Sequence, residues 1–238
     1  MAERINDLFA ASSRDLTPAS VRHAVQLLYV PVSHDPEVTK RCASILSDTE
    51  LHRASRFAAP GDEALFKQRR AFRRFCGALA LGSSQPLALI TFKKTQNGRP
   101  YLSELPDCWF SFSSCRLGFV GAWSSAHAIG VDLEDQTKDP EAVKLARRFF
   151  STAEANAVEG AGGRERLRTF FQFWSLKEAA LKSIGEGLPF GLDAFEFELA
   201  PDLRVVHAPS RHGGPEQFKA HEIEGTAACA ALVIRSLA

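Results

Sequence analysis

The chain has 238 residues, 45% of them hydrophobic and 24% charged, a composition that excludes disordered and fibrous classes and leaves one compact unit or two tightly packed halves. With 29 basic and 28 acidic side chains the net charge is +1, so the whole-molecule field gives no reason to expect a nucleic acid or a membrane surface as partner. Five scattered cysteines without a CxxC, no hydrophobic signal core near the N-terminus, and a longest apolar run of only AACAALVI (227–234) lead us to expect reduced thiols and a cytoplasmic protein.

In chain order, AVQLLYVPV (24–32) is apolar and ends near proline, as a buried strand does. Ser47 with Glu50 three residues on is a capping-box pattern that opens a helix across SDTELHRASRF. A second helix over 62–81 carries Leu65, Phe66, Phe72, Phe75 and Leu79 at helical spacing and stops at Gly82. ALITFKK (88–94), WFSFSS (109–114), LGFVGAW (117–123) and AIGVDLED (128–135) read as strands, with a turn at NGRP (97–100). Helices follow around Glu141–Phe150 and after Ser151. Beyond a flexible GAGGR at 160–164, a long one runs through FFQFWSLKEAALK (170–182) to Gly185 and Gly187. FEFEL, RVVHA and CAALVIR read as returning strands. Helices then strands occur on both sides of about residue 125, which predicts an α+β fold in two similar halves, 1–125 and 126–238.

In Ile129-Gly130-Val131-Asp132-Leu133-Glu134 the strand period sends Asp132 and Glu134 to one face, about 6–7 Å apart along the chain, close enough to converge on one hard cation. Two solvated acids on an exposed strand edge would give the same hexapeptide. In the long helix, Phe170, Phe173, Trp174, Ala180, Leu181 and Ile184 share an arc with Lys177 in its middle, flanked by Glu178 and Lys182. Snorkelling of Lys177 and a surface Glu178–Lys182 pair are the bland accounts. A site for polyphosphate, with Glu178 joining the strand acids at a metal, is the functional one.

IGVDLED (129–135), FWSLKEAALKSIGEGL (173–188), NGRP (97–100), FSFSSC (110–115) and RFFS (148–151) with Glu154 occur in an order and spacing that resembles the 4′-phosphopantetheinyl transferases of the larger, monomeric, surfactin-synthetase-activating type. The resemblance covers about Arg53 to Leu188. It implies two α+β halves related by a pseudo-two-fold, with coenzyme A in the cleft between them. Its phosphopantetheine arm would pass to a serine of an apo acyl or peptidyl carrier protein, releasing adenosine 3′,5′-bisphosphate. By the same resemblance Asp132, Glu134 and Glu178 hold Mg²⁺, with Mn²⁺ an alternative. Glu178 accepts the serine proton, and Lys182 stabilises or protonates the leaving phosphate. Arg53, Arg99, Ser113, Ser114, Asp132, Lys177 and Lys182 line the coenzyme A site, Lys177 pointing into the anion-filled cleft, and Trp174 positions its neighbours. The resemblance also implies that the carrier docks around 136–160.

One departure stands out: Ser114 occupies the place of a histidine that contacts the 3′-phosphate, and a serine brings a hydrogen bond but no charge. Lys67, Arg69, Arg70, Arg73 and Arg74 could add to the cleft's positive field, although a solvated helix face accounts for most of them. A binding protein that holds coenzyme A or a carrier without turnover is the alternative, and a metal-dependent nuclease is a remoter one. HxH, HExxH, GxSxG and Walker patterns are absent, which sets aside zinc, serine-hydrolase and NTPase chemistry.

Overall fold

The computed structural model describes residue 7 and residues 9–137 and 141–237. Ser47 and Glu50 form the expected capping box at the head of helix α2 (Asp48–Ala54), which follows α1 (Pro36–Ala43). The 22-residue α3 (Pro60–Leu81) buries Phe66, Phe72, Phe75 and Cys76. It ends at Gly82, whose φ of 58° is the left-handed cap that glycine favours. Strand β2 (Gln26–Pro31) pairs antiparallel with β1 (Arg14–Asp15) on one side and β6 (Gly118–Ser124) on the other, and β6 pairs in turn with β5 (Trp109–Ser114).

A second antiparallel sheet runs β10 (Phe218–Glu222), β11 (Cys229–Ser236), β7 (His127–Glu134). Period-2 alternation sends Ile129, Val131 and Leu133 of β7 into a core shared with Leu27, Tyr29 and Val120 of the first sheet. Gly130, Asp132 and Glu134 therefore face the other way, toward the helices. Those are α4 (Ala142–Phe149), α5 (Thr152–Gly160) and α6 (Gly163–Ser183), the last with Phe170, Phe173, Leu176, Ala180 and Leu181 buried. The fold is α+β. All five cysteines are free thiols, and among the described residues no helix is long and apolar enough to cross a membrane.

Two expectations need correction. The segment 88–94 is not one strand: a 3₁₀ turn at Leu87–Leu89 leads to a two-residue strand, β3 (Lys93–Lys94), paired with β4 (Pro100–Tyr101). Leu87 and Ile90 are fully packed while Leu89 is 63% exposed, and Ile90 presses on Gly77 of α3. Helix packing, not sheet alternation, wrote that apolar pattern. The strand β10, FKAHE, buries only Phe218 fully and so carries little strand signal in its sequence. The carrier segment expected at 136–160 includes residues 138–140, outside the described residues.

The second correction concerns Lys177. It is 0% exposed and points away from any cleft, its ammonium 2.7 Å from Glu154 Oε2 and donating to the carbonyls of Leu192 (3.0 Å) and Phe195. The ring of Phe150 lies 5.3 Å away. Burial pulls the ammonium's pKa below the ordinary lysine value, with Glu154 opposing. Glu154 is itself saturated: it caps Ser151 N–H at 2.8 Å and accepts from Phe197 N–H at 2.9 Å. The pair is a structural cross-tie between α5, α6 and the strand β8 (Glu196–Glu198), which pairs antiparallel with β9 (Arg204–His207). Lys177→Met strands a buried carboxylate, so it should lower unfolding free energy by about 3–5 kcal/mol in denaturant titration. Coenzyme A affinity of the folded fraction should stay unchanged; a stable variant with weakened binding would restore the cleft role.

Candidate active site

Helix α6 crosses β7 in direct contact at Gly130. A Cβ there would lie 1.9 Å from the Ala179 carbonyl oxygen and 2.7 Å from Ser183 N, so only glycine fits. The contact sets Glu178 and Lys182, one turn apart on α6, against the outward face of β7.

Asp132 is the centre of what results. It is 2% exposed; its Oδ1 accepts from Lys182 Nζ at 2.6 Å and from Ser113 Oγ at 2.8 Å, while its Oδ2 is buried with no hydrogen-bond partner. Lys182 also donates to the Val131 carbonyl at 3.1 Å and stands 3.7 Å from Glu178. Burial, then the charges of Asp132 and Glu178, push Glu134 up to about 7. Burial, then Asp132, raise Glu178 above the usual carboxylate range, with Trp174 hydrogen bonding and Lys182 opposing. For Lys182, burial alone would lower the pKa, but Asp132, Glu178 and Glu134 outweigh it and raise it. A lysine held so firmly protonated is better suited to stabilising charge than to giving up a proton.

Among the described residues no three acidic, histidine or cysteine side chains already form a metal cage. The donor set nevertheless fits a hard divalent cation: all oxygens, a buried unpartnered Oδ2 on Asp132, and mutual repulsion with Glu134 and Glu178 that such an ion would relieve.

The cluster stands between two clefts. One, of ≈ 170 Å³, is basic, lined by Arg73, Lys94, Arg99 and Lys182 with Phe110 and Phe112. The other, of ≈ 390 Å³, is mainly apolar, lined by Leu65, Leu145, Phe170 and Trp174 with Glu134 and Glu178 at its acid wall. Arg99 is stacked 4.0 Å over the Trp109 ring, facing the basic cleft. Ser113 belongs to the Asp132–Lys182 cluster. Ser114 lines the apolar cleft instead of the basic one. Arg53 is exposed on α2, its guanidinium 5.6 Å from the Phe66 ring centroid, and lines neither cleft. Lys94 was not singled out from the sequence, where it looks like any surface lysine after a short strand. Arg73 was submerged in a run of basic residues.

Residues 128–233 match the model of the 4′-phosphopantetheinyl transferase superfamily. It is 34% identical over 136 residues to the 4′-phosphopantetheinyl transferase Sfp of Bacillus subtilis, covering 57% of this chain and 59% of that protein. A Synechocystis sp. protein, slr0495, provisionally assigned the same activity, is 33% identical over 166 residues, 68% of this chain and 65% of its own length. The 4′-phosphopantetheinyl transferase HetI of Nostoc sp. is 28% identical over 182 residues, 74% and 75% of the two chains. The chain thus spans less than two thirds of the first two relatives.

The folded Glu134 keeps its proton to about pH 7 where a free glutamate loses it near 4.5, so its ionisation costs stability that is absent below pH 4.5 and complete above 7. Glu134→Gln should therefore raise Tm of the metal-free protein at pH 8 and leave it nearly unchanged at pH 5. Equal shifts at both pH values would contradict the repulsion.

Proposed function

We propose that the chain transfers the 4′-phosphopantetheine arm of coenzyme A to a serine hydroxyl of an apo acyl or peptidyl carrier protein. The reaction is Mg²⁺-dependent, with Mn²⁺ as an alternative ion, and releases adenosine 3′,5′-bisphosphate. The observation that carries the reading is the Asp132–Glu134–Glu178–Lys182 cluster at the boundary of a basic and an apolar cleft. The names of the relatives Sfp and HetI support the same reaction.

Coenzyme A enters the basic cleft, where Arg99 and Lys182 meet its phosphates by charge-assisted hydrogen bonds. Asp132, Glu134 and Glu178 would hold the ion, which when bound supplies charge neutralisation at the pyrophosphate. The acceptor serine approaches from the apolar cleft, beside Glu178. Glu178, at the acid wall of that cleft, takes the hydroxyl proton as the serine oxygen attacks phosphorus. The bond from phosphorus to the leaving phosphate oxygen breaks on the Lys182 side, and the ammonium stabilises the negative charge left there. Ser113 keeps Asp132 and Lys182 in register by hydrogen bonding both. We read the molecule as two halves, 1–125 and 126–238, working as a cytoplasmic monomer. Separate core clusters around α3 and around α6, joined by a third between the sheets, support the two halves.

Incubation of apo carrier with coenzyme A and Mg²⁺ should add the mass of the arm to the carrier. Glu178→Gln should slow that gain about 10²–10⁴-fold, as loss of a general base does. No gain on any of a panel of carriers, or full activity of the variant, would defeat the assignment.

A further inference from the structure

One face of strand β5 is turned toward β7. Period-2 alternation puts Trp109, Ser111 and Ser113 on that face and sends Phe110 and Phe112 into the core around α3. The two serines grip β7: Ser111 Oγ accepts from the Val131 N–H at 3.0 Å, and Ser113 Oγ donates to Asp132 Oδ1 at 2.8 Å. Trp109 lies about 13 Å along the strand from Ser113 and grips a different segment.

Three parts of the chain meet on its indole. Arg99 Cζ lies 4.0 Å from the ring centroid. The edge atoms Cζ2 and Cη2 face Gly185 at the left-handed turn that ends α6, where a Cβ would sit 3.8 Å from each. The ring also packs on the core between the two sheets. The turn that bears Arg99 is tied to the same end of α6, Asn97 Nδ2 donating to Glu186 Oε2 at 3.4 Å. Trp109 Nε1 is buried without an acceptor, a penalty that phenylalanine or leucine filling the same space would avoid. Indole has instead the strongest cation-binding face among the aromatic side chains.

Thr95 pins the backbone of Arg99, its N–H donating to the Arg99 carbonyl at 2.9 Å and its Oγ1 accepting from the Arg99 N–H at 3.1 Å. The long side chain needs a separate hold, because ordering it only when a ligand arrives would weaken binding. Stacking on Trp109 uses the face of the guanidinium and leaves its N–H edge for the basic cleft that Arg99 lines. We infer that Trp109 is a positioning residue: it fixes Arg99 relative to Lys182 before substrate arrives, so that guanidinium and ammonium meet the coenzyme A phosphates already ordered. The inference rests on the coenzyme A reading, in which those two cations bind the phosphates.

In arm transfer, Trp109→Leu should raise KM for coenzyme A about 3- to 10-fold, the effect of ordering one long side chain, and leave kcat within about 2-fold. Trp109→Phe, which keeps an aromatic face, should recover part of the loss. A space-filling role could also weaken binding, and a double-mutant cycle read by calorimetry with coenzyme A separates the two. Arg99→Gln should weaken binding, and in that background Trp109→Leu should weaken it no further. Trp109→Phe carries the cycle if the leucine variant fails to fold. Losses that multiply in the double variant, or a leucine variant that binds as the wild type does, overturn the inference. If coenzyme A binds with the expected coupling but no carrier gains the arm, the transfer reading fails and the role of Trp109 stands. If the arm is transferred and the two losses multiply, the reverse holds. A wild type that binds no coenzyme A overturns both.

Discussion

The absence of a side chain at Gly130 sets the geometry on which the site depends. With a methyl group there, the backbone of α6 would have to retreat from β7, because the space is already taken by the Ala179 carbonyl. Contact at that point brings the turn bearing Glu178 and Lys182 within reach of Asp132, and Lys182 completes it by bonding the strand's Val131 carbonyl as well as the Asp132 carboxylate. Two rigid elements, not loops, therefore hold the acids, so the cost of crowding them is borne by the packing of strand on helix. That crowding appears in the raised pKa values of Glu134 and Glu178.

Elsewhere the structure distributes its cations by pairing. Glu154 takes Lys177 in the core, Glu50 takes Arg70 and Arg74 behind α3, and Asp132 takes Lys182 at the junction of the clefts. Arg73 and Arg99 are left without carboxylate partners among the described residues, each resting on an aromatic ring and each lining the basic cleft. A molecule of net charge +1 thereby concentrates positive field in one groove.

The α+β class and the two sets of site acids were legible because they follow strict periods. Alternation along β7 separates Val131 and Leu133 from Asp132 and Glu134 whatever the rest of the chain does. Lys177 shows the limit of the same method. A helical wheel says that a side chain faces the interior; it does not say whether a cleft or a buried carboxylate waits there, and Glu154 lies 23 residues away in sequence. A hint was present in Ser151 and Glu154, since a capping-box glutamate uses one oxygen for the cap and has another to give. Ser114 and Arg53 were placed by alignment to a motif, which carries no information about which wall of which cleft a residue lines. Arg73 could not be separated from its neighbours until Glu50 was seen to occupy two of them.

The central claim is that the strand–helix contact assembles a divalent-cation site at the boundary of the two clefts. Titration of the full-length protein with Mn²⁺, followed by electron paramagnetic resonance in the presence of coenzyme A, tests it most directly. One tightly held ion per chain should be seen, lost or weakened at least 10-fold in Asp132→Asn with the fold intact by circular dichroism. Equal binding in the wild type and the variant, or no binding to the wild type, would contradict it.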